Sequence, residues 1–442
     1  MKDWLSNHPE IQNVTTLLAD LNGQARGKRM PTSLADKAFD GTARMPLSVV
    51  NLDIRGHDVY DSPLIYETGD RDGILHPTER GPIPAPWLTS TALLPVSMHD
   101  ENDMPYGGDP RNALGLTLER YKSKGWNVVA ATELEFYLVD DSSNTLRPPV
   151  SPRSGKRLES GEYVSLHALD EFEHFFTDLY SGCEAMDIPA DTVISEAGVG
   201  QFEINLMHCD AMRAADDAWF FKQLVKGLAR KHGFAATFMA KPFADQPGNG
   251  MHVHFSVVDE AGENIFNDGT DRGSDTLLHA VAGCARAMIP SALILAPHGN
   301  SYDRLAPYSH APTGVTWAYE NRTAAIRIPA GAPAARRIEH RVAGGDVNPY
   351  LMLATVLGAA MNGIEDRLAP PEPLEGNAYE SDAETLPDSW GSAIDAFGSS
   401  EEIKRILPKE LIENLIFVKK QDLATYAKLD EAERARLYLE AV

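Results

Sequence analysis

The chain has 442 residues, of which 43% are hydrophobic and 24% charged, and its net charge is −24. That length and balance fit a soluble protein of two or more domains with a large core, and the acidity argues against a nucleic-acid surface and against anionic membranes. Cys183, Cys209 and Cys284 are too few and scattered for a disulfide frame or a Cys-rich zinc site; the first residues, MKDWLSNHPE, lack an apolar h-region and no run reaches membrane-spanning length, so a reducing, cytoplasmic setting is expected.

Residues 1–105 are turns and short apolar runs. Stretches 14–20 and 47–54 read as strands, with 34–39 a short helix between them and Asn22-Gly23 a turn. The proline-rich run 82–87 excludes regular helix and central strand. Residues 98–110, polar and broken by Gly and Pro, separate a domain at 1–105 from one at 106–442. Asp109 and Pro110 then start a helix to about residue 124. Stretch 130–140, AATELEFYLVD, reads as a strand, and 141–163 as a polar loop. Helices are expected at 169–187, at 211–232 with Trp219, Leu224 and Leu228 inward, at 275–289, at 351–368 (small, apolar, buried) and at 419–441.

Chemistry collects on the strands. Glu133 and Glu135 are two residues apart and leave one face, while Leu134 and Phe136 leave the other. Residues 194–206, ISEAGVGQFEINL, place Glu196 before a Gly-x-Gly turn and Glu203 on the strand after it. Gly198 and Gly200 open a dinucleotide fingerprint whose third glycine position is Glu203, so that motif fails; Gly23…Gly27-Lys28-Arg29 fails as a P-loop, being one residue short with Arg29 where a hydroxyl belongs. In GNGMHVHFSV, residues 248–257, His252 and His254 share a strand face. Arg322 and Arg327 flank a strand and a Pro-Ala-Gly-Ala-Pro loop, and Arg337, Glu339 and Arg341 alternate with Ile338, His340 and Val342 on a further strand. Five carboxylates and an imidazole suit hard divalent ions, at least two of Mg²⁺ or Mn²⁺. Arginines bind phosphoryl oxygens through a planar fork. Metal-dependent phosphoryl transfer with ATP is the chemistry these groups imply, with positioning and charge neutralisation supplying most of the catalysis.

ELEFYL, EAGVGQFEINL, GNGMHVHFS, NSYDRLAP (300–307), NRTAAIRIP and RRIEHR…NPYL (336–351) resemble, in order and spacing, the glutamine synthetase family over nearly the whole chain. DLNGQARGKRMP (20–31) and PLSVVNLDIRG (46–56) are similar to its glutamate–amine branch, the γ-glutamylputrescine synthetase-like enzymes. The resemblance implies an α+β architecture: an N-terminal β-grasp domain, then a catalytic domain of curved antiparallel sheet with helices. It also implies a dodecamer of two hexameric rings with active sites between neighbouring subunits. By the same resemblance Glu135, Glu196 and Glu203 hold one metal, and Glu133, His252 and Glu339 the other. His254, Arg322, Arg327 and Arg337 contact ATP phosphates. Arg304, Arg341 and the Gly248 backbone hold glutamate and the phosphoryl group, and Asp53, from the adjacent subunit, loosely matches the aspartate that helps deprotonate the nitrogen substrate.

The chain departs from the family at two site positions, His310 where glutamine synthetase proper has a glutamate that closes over the site and binds ammonium, and Pro247 where an asparagine is usual. The tyrosine-bearing adenylylation loop is absent from 376–390. A carboxylate selects the small ammonium ion, whereas histidine, with a pKa of about 6.5, is mostly neutral at pH 7 and still accepts a proton. The expected activity is therefore glutamate–amine ligation: the γ-carboxylate attacks the γ-phosphate of ATP, and an amine then displaces phosphate from γ-glutamyl phosphate. A glutamine synthetase using ammonia and an inactive structural relative are the alternatives; the second predicts lost metal ligands, and none is lost.

Overall fold

Runs of alternating and continuous apolar residues build two sheets; the computed structural model of the chain describes residues 2–442. The first sheet contains β1 (Asn13–Ala19), β2 (Ala25–Pro31), β3 (Ala43–Pro46), β4 (Asp72–Pro77), β5 (Ile83–Pro84) and β6 (Thr91–His99). Its order is β2-β1-β6-β4-β3, with β5 on β6. β1 and β6 run parallel and the other pairs antiparallel. Period-two alternation sends Val14, Leu18, Leu94, Val96 and Met98 into a small core of this sheet. Leu17, Ala19 and Leu93, one residue out of phase, join the large core that fills the rest of the molecule. This two-sided burial places β1 between the two cores. The β1–β2 turn uses Gly23 at φ 80°. Asp20 Oδ1 accepts from the Asn22 and Gln24 amides at 2.9 Å each, and Trp219 Nε1 donates to Gly23 O at 2.8 Å, tying the turn to the other half.

The second sheet contains β7 (Asn127–Val139), β8 (Ala190–Ser195), β9 (Gln201–Leu206), β10 (Cys209–Asp210), β11 (Ala235–Thr237), β12 (Met251–Val258), β13 (Trp317–Tyr319), β14 (Ile326–Ile328) and β15 (Ile338–His340). Its order is β13-β14-β15-β12-β7-β9-β8, with β10 and β11 also on β7. All pairs are antiparallel except β13–β14. β7, 13 residues long, is its spine. The helices Pro110–Lys122, Ala211–Lys231, Asp275–Ala287 and Pro349–Asp366 cover the apolar side. Asp109 caps the first of these, accepting from the Arg111 and Asn112 amides. Helix Pro349–Asp366 is buried from Pro349 to Gly363 and crosses Asp275–Ala287 so closely that a Cβ on Gly283 would stand 2.2 Å from Ala359 O. None of the described helices is long and apolar enough to cross a membrane.

Four sequence expectations change. Stretch 47–54 is not a strand: Leu47–Asn51 is a 3-10 turn. Asp70 captures the Ser48 amide and hydroxyl and thereby turns the chain away from the sheet, and a short apolar run cannot distinguish the two outcomes. Helix 169–187 is split at Phe172 (φ −120°, ψ 25°) into Leu166–Asp170 and Glu173–Ala185. Helix 419–441 is two helices, Lys409–Tyr426 and Glu431–Ala441, because Asp430 and Glu433 form a capping box that starts the second. The Arg337–Arg341 alternation is only partly strand, since β15 spans Ile338–His340.

Candidate active site

Cross-strand register assembles the polar face. Facing partners in an antiparallel pair project to the same side. β12 sets His252 opposite Glu133, β9 sets Glu203 opposite Glu135 and Asn205 opposite Glu133, and β15 sets Glu339 opposite His254 and, across the next ladder, opposite Arg327. Side chains scattered over more than 200 residues of sequence thus become neighbours.

Glu133 is the centre. Its Oε2 lies 3.1 Å from His252 Nδ1 and its Oε1 2.9 Å from His254 Nε2. Burial alone would raise its pKa, but the two imidazoles outweigh burial and hold the carboxyl well below the usual range. Glu135 Oε2 accepts from the Gly250 amide at 2.6 Å. Glu339, 1% exposed, accepts from Arg327 Nη1 at 2.7 Å and from Arg341 Nη1; burial pushes its pKa up, and Arg341 with the imidazoles brings it down. At Glu203 Arg341 only partly offsets the opposing effects. Burial first, and then the carboxylates of Glu133, Glu135 and Glu196, push its pKa up to about 9. Burial and Glu135 push Glu196 up to about 7.

A set of acids that repel one another in this way is a site built for cations. Two groups of donor atoms lie within 4.8 Å of one another: Glu133, Glu203 and His252, and Glu133, His254 and Glu339. In the second group His254, rather than His252, stands with Glu339, as the β12–β15 register dictates.

The arginines surround this cluster. Arg304, 4% exposed, donates from Nη1 to Val342 O at 2.7 Å. Its Nη2 lies where a Cβ on Gly250 would be 2.9 Å away, and a Cβ on Gly248 would meet Ala240 O at 2.5 Å, so both glycines of the Gly-Asn-Gly turn must lack a side chain for the turn to pass beside Arg304. Arg337 Nε lies 3.3 Å from His254 Nδ1. Arg327 Nε, Arg341 Nε and Asn205 Oδ1 are buried without a hydrogen-bond partner, which suits ligand oxygens and ions at this face.

Other expected site residues lie apart. Arg322 is exposed in the loop before β14. His310 is exposed at φ 65° in the loop after Arg304. This loop is pinned by Ser309 Oγ to Arg304 O at 2.7 Å and by Tyr379 Oη to Ala311 O at 3.0 Å. Asp53 is outside the cluster and 1% exposed; its carboxylate is taken by the Arg55 and His57 amides and by Gln421 Nε2.

A cavity of ≈ 630 Å³ opens from the cluster. Glu133, His254, Arg337, Asn205, His208 and Asn264 are among the residues that line it. The sequence reading missed Asn205, although the alternation Glu203-x-Asn205 continues the polar face. It also missed Gln201, whose Nε2 donates to Gly248 O and Asn249 Oδ1 at 3.0 Å each, and Tyr137, whose Oη donates to Pro247 O at 2.8 Å; these two hold the glycine turn in place.

The family profile described as "Glutamine synthetase, catalytic domain" matches residues 107–438, three-quarters of the chain. The chain belongs to the glutamine synthetase family. Among curated members of the glutamine synthetase family, it is 36% identical to the γ-glutamylputrescine synthetase PuuA of Escherichia coli (strain K12), over 97% of this chain and 92% of that protein. It is 32% identical to a glutamate–isopropylamine ligase of a Pseudomonas species, over 94% and 92%, and 31% identical to a glutamine synthetase of Pyrococcus abyssi, over 95% and 92%. A solved structure of GmaS in complex with ADP superposes with a TM-score of 0.85 at 28% identity, covering 99% of each chain.

Proposed function

We propose that this chain is an ATP-dependent carbon–nitrogen ligase that joins the γ-carboxyl of glutamate to an amine through γ-glutamyl phosphate. The observation that carries the reading is the convergence of Glu133, Glu135, Glu203, Glu339, His252 and His254 on one sheet face bordered by Arg304, Arg327, Arg337 and Arg341. In this reading Glu135, Glu196 and Glu203 take one cation and Glu133, His252 and Glu339 the other; the donor atoms that lie together, Glu133 with Glu203 and His252 and Glu133 with His254 and Glu339, support cation binding here and bring His254 to the second position. Bound Mg²⁺ or Mn²⁺ supplies neutralisation of phosphate charge and polarisation of the γ-phosphate. Arg327, Arg337, Arg322 and His254 meet the polyphosphate. Arg304 and Arg341 fix glutamate and the transferring group, and the Gly248–Gly250 turn lets substrate come close to the backbone.

The amine is the second substrate. His310 supplies no fixed negative charge where it would single out ammonium, and an alkylammonium with a pKa of about 10.4 must lose a proton before it attacks. The His310 imidazole, on an exposed and pinned loop, is the group placed to take that proton. Relatives named for putrescine and for isopropylamine support an alkylamine or diamine over ammonia.

Two further parts complete the proposal. The chain divides at about residues 105–106 and assembles as a closed ring, a dodecamer, that brings the exposed tip of the 53–57 loop to a neighbour's site; head-to-tail contacts that close make rings. It works in the cytoplasm, in keeping with three free cysteines. The test is phosphate release from ATP. It is expected to require glutamate, an amine and a divalent ion together. Release that is independent of glutamate overturns the reading.

A further inference from the structure

A second group of metal-ligating side chains meets at the edge of the N-terminal sheet, away from the acidic face. β4 and β6 pair with Ile74 opposite His99 and His76 opposite Ser97, so His76 and His99 leave the same face of neighbouring strands, diagonally placed. Their ring centroids are 4.1 Å apart at a 44° tilt. After β6 the chain reverses in a tight turn. Asp100 Oδ1 accepts from the Asn102 and Met104 amides at 2.8 and 2.9 Å, and Asp103 takes φ 63°. That turn aims the Asp103 carboxylate back at the rings: Oδ1 is 2.6 Å from His76 Nε2 and 3.6 Å from His99 Nδ1. His76 is also held from behind. Gly41, at φ 67°, leaves room that a Cβ would narrow to 3.0 Å from His76 Nδ1.

We propose that His76, His99 and Asp103 form a binding site for one divalent transition-metal ion of the zinc class, distinct from the Mg²⁺ or Mn²⁺ positions. One donor atom from each residue falls within a 4.8 Å group. Tetrahedral zinc with bonds of about 2.0–2.2 Å sets its donors about 3.3 Å apart. The His99–Asp103 carboxylate separation is already near that value, and the shorter His76–Asp103 hydrogen bond opens by less than about 1 Å when an ion replaces its proton, which leaves to solvent; His99 Nδ1, 3.1 Å from Asp103 O, becomes a ligand when its ring proton moves to Nε2. Two imidazoles and a carboxylate select Zn²⁺, Co²⁺ or Ni²⁺ over Mg²⁺, which keeps oxygen ligands and its own water. The Asp103 side chain is 61% exposed, so an ion can enter and water can fill the fourth position. A net charge of −24 enriches cations around the molecule. The bound ion would clamp the 100–105 turn onto β4 and β6.

The test uses the full chain with Mg²⁺ in large excess to occupy the acidic face, titrated with Co²⁺ and followed by visible absorption and by bound-metal analysis. The wild type is expected to hold one more Mg²⁺-resistant Co²⁺ per chain than the variants His99→Gln and Asp103→Asn, with a tetrahedral spectrum that Zn²⁺ displaces. His99→Gln and Asp103→Asn are each expected to weaken that binding more than about tenfold and to abolish the Tm rise given by Zn²⁺, while activity in Mg²⁺ is unchanged. Absence of a Mg²⁺-resistant Co²⁺ in the wild type, or equal Co²⁺ content and spectra in the wild type and both variants, overturns the proposal.

Discussion

On the back of β7, Leu134, Phe136 and Leu138 are fully buried, with Phe136 5.5 to 6.4 Å in ring-to-ring distance from Phe202, Phe221 and Phe238. On the front of the same strand, one residue out of phase, Glu133 and Glu135 stand among three more carboxylates, two of which have pKa values pushed above the usual range. The backbone and its hydrogen bonds are common to both faces; only the side-chain parity differs. The back holds the sheet by apolar burial at roughly 25 cal/mol per Å². The front works against that stability, because like charges are held together in a partly desolvated place. A catalytic surface of this kind is tolerated only because the other face of each strand is so well packed.

Substitutions on the two faces should therefore separate activity from stability. The largest effect is expected from Glu203→Ala or Glu135→Ala. Turnover should fall by at least about 10³-fold, while the unfolding midpoint of the metal-free protein stays equal or rises for Glu203→Ala, since a repelling carboxyl is gone. A parallel loss of midpoint and activity would show that the front is structural. Phe136→Ala inverts the pattern: denaturant unfolding should show a loss of about 3–5 kcal/mol, with activity lost only as the fold is lost.

Metal addition probes the front without mutation. Mg²⁺ or Mn²⁺ should raise Tm, because the ions bind the folded chain and relieve its repulsion. The sign with pH follows from the raised carboxyls. Glu196 and Glu203 favour the metal-free fold below their ordinary value of 4.5, and that contribution disappears as pH climbs through about 7 and about 9. Protons also compete with the ion, so the metal-induced rise in Tm should be larger at about pH 8 than at about pH 6. An equal rise at both values would mean that these carboxyls are not ligands.

Parity along a strand is local information, so Glu133, Glu135, Glu203 and His252 are legible as a polar face from the sequence alone. Register is not local. Nothing in GNGMHVHFSV alone says that His254 falls opposite Glu339, or that His76 on one strand and His99 on another share a face with Asp103. The 47–51 turn is hidden because its deciding contact, Asp70 to Ser48, spans a loop. The break before Glu431 is visible in principle: Asp430-Glu431-Ala432-Glu433 has the spacing of a capping box, and the charged helix around it conceals the stop.

The smallest of the expected effects bears on the nitrogen substrate. His310→Glu should raise ammonia use relative to an alkylamine by about tenfold, since restoring a carboxylate returns about 1.4 kcal/mol or more of charge preference to the loop. No change in that ratio would place the selecting group elsewhere.

The most direct test of the central claim is a steady-state comparison on the wild-type protein, in which ATP, glutamate and Mg²⁺ are held saturating and phosphate release is measured against ammonia and a panel of primary alkylamines and diamines. The expected result is kcat/KM at least about tenfold higher for one or more of the amines than for ammonia, with the matching γ-glutamylamide as product. Faster formation of glutamine from ammonia than of any γ-glutamylamide across the panel would contradict it.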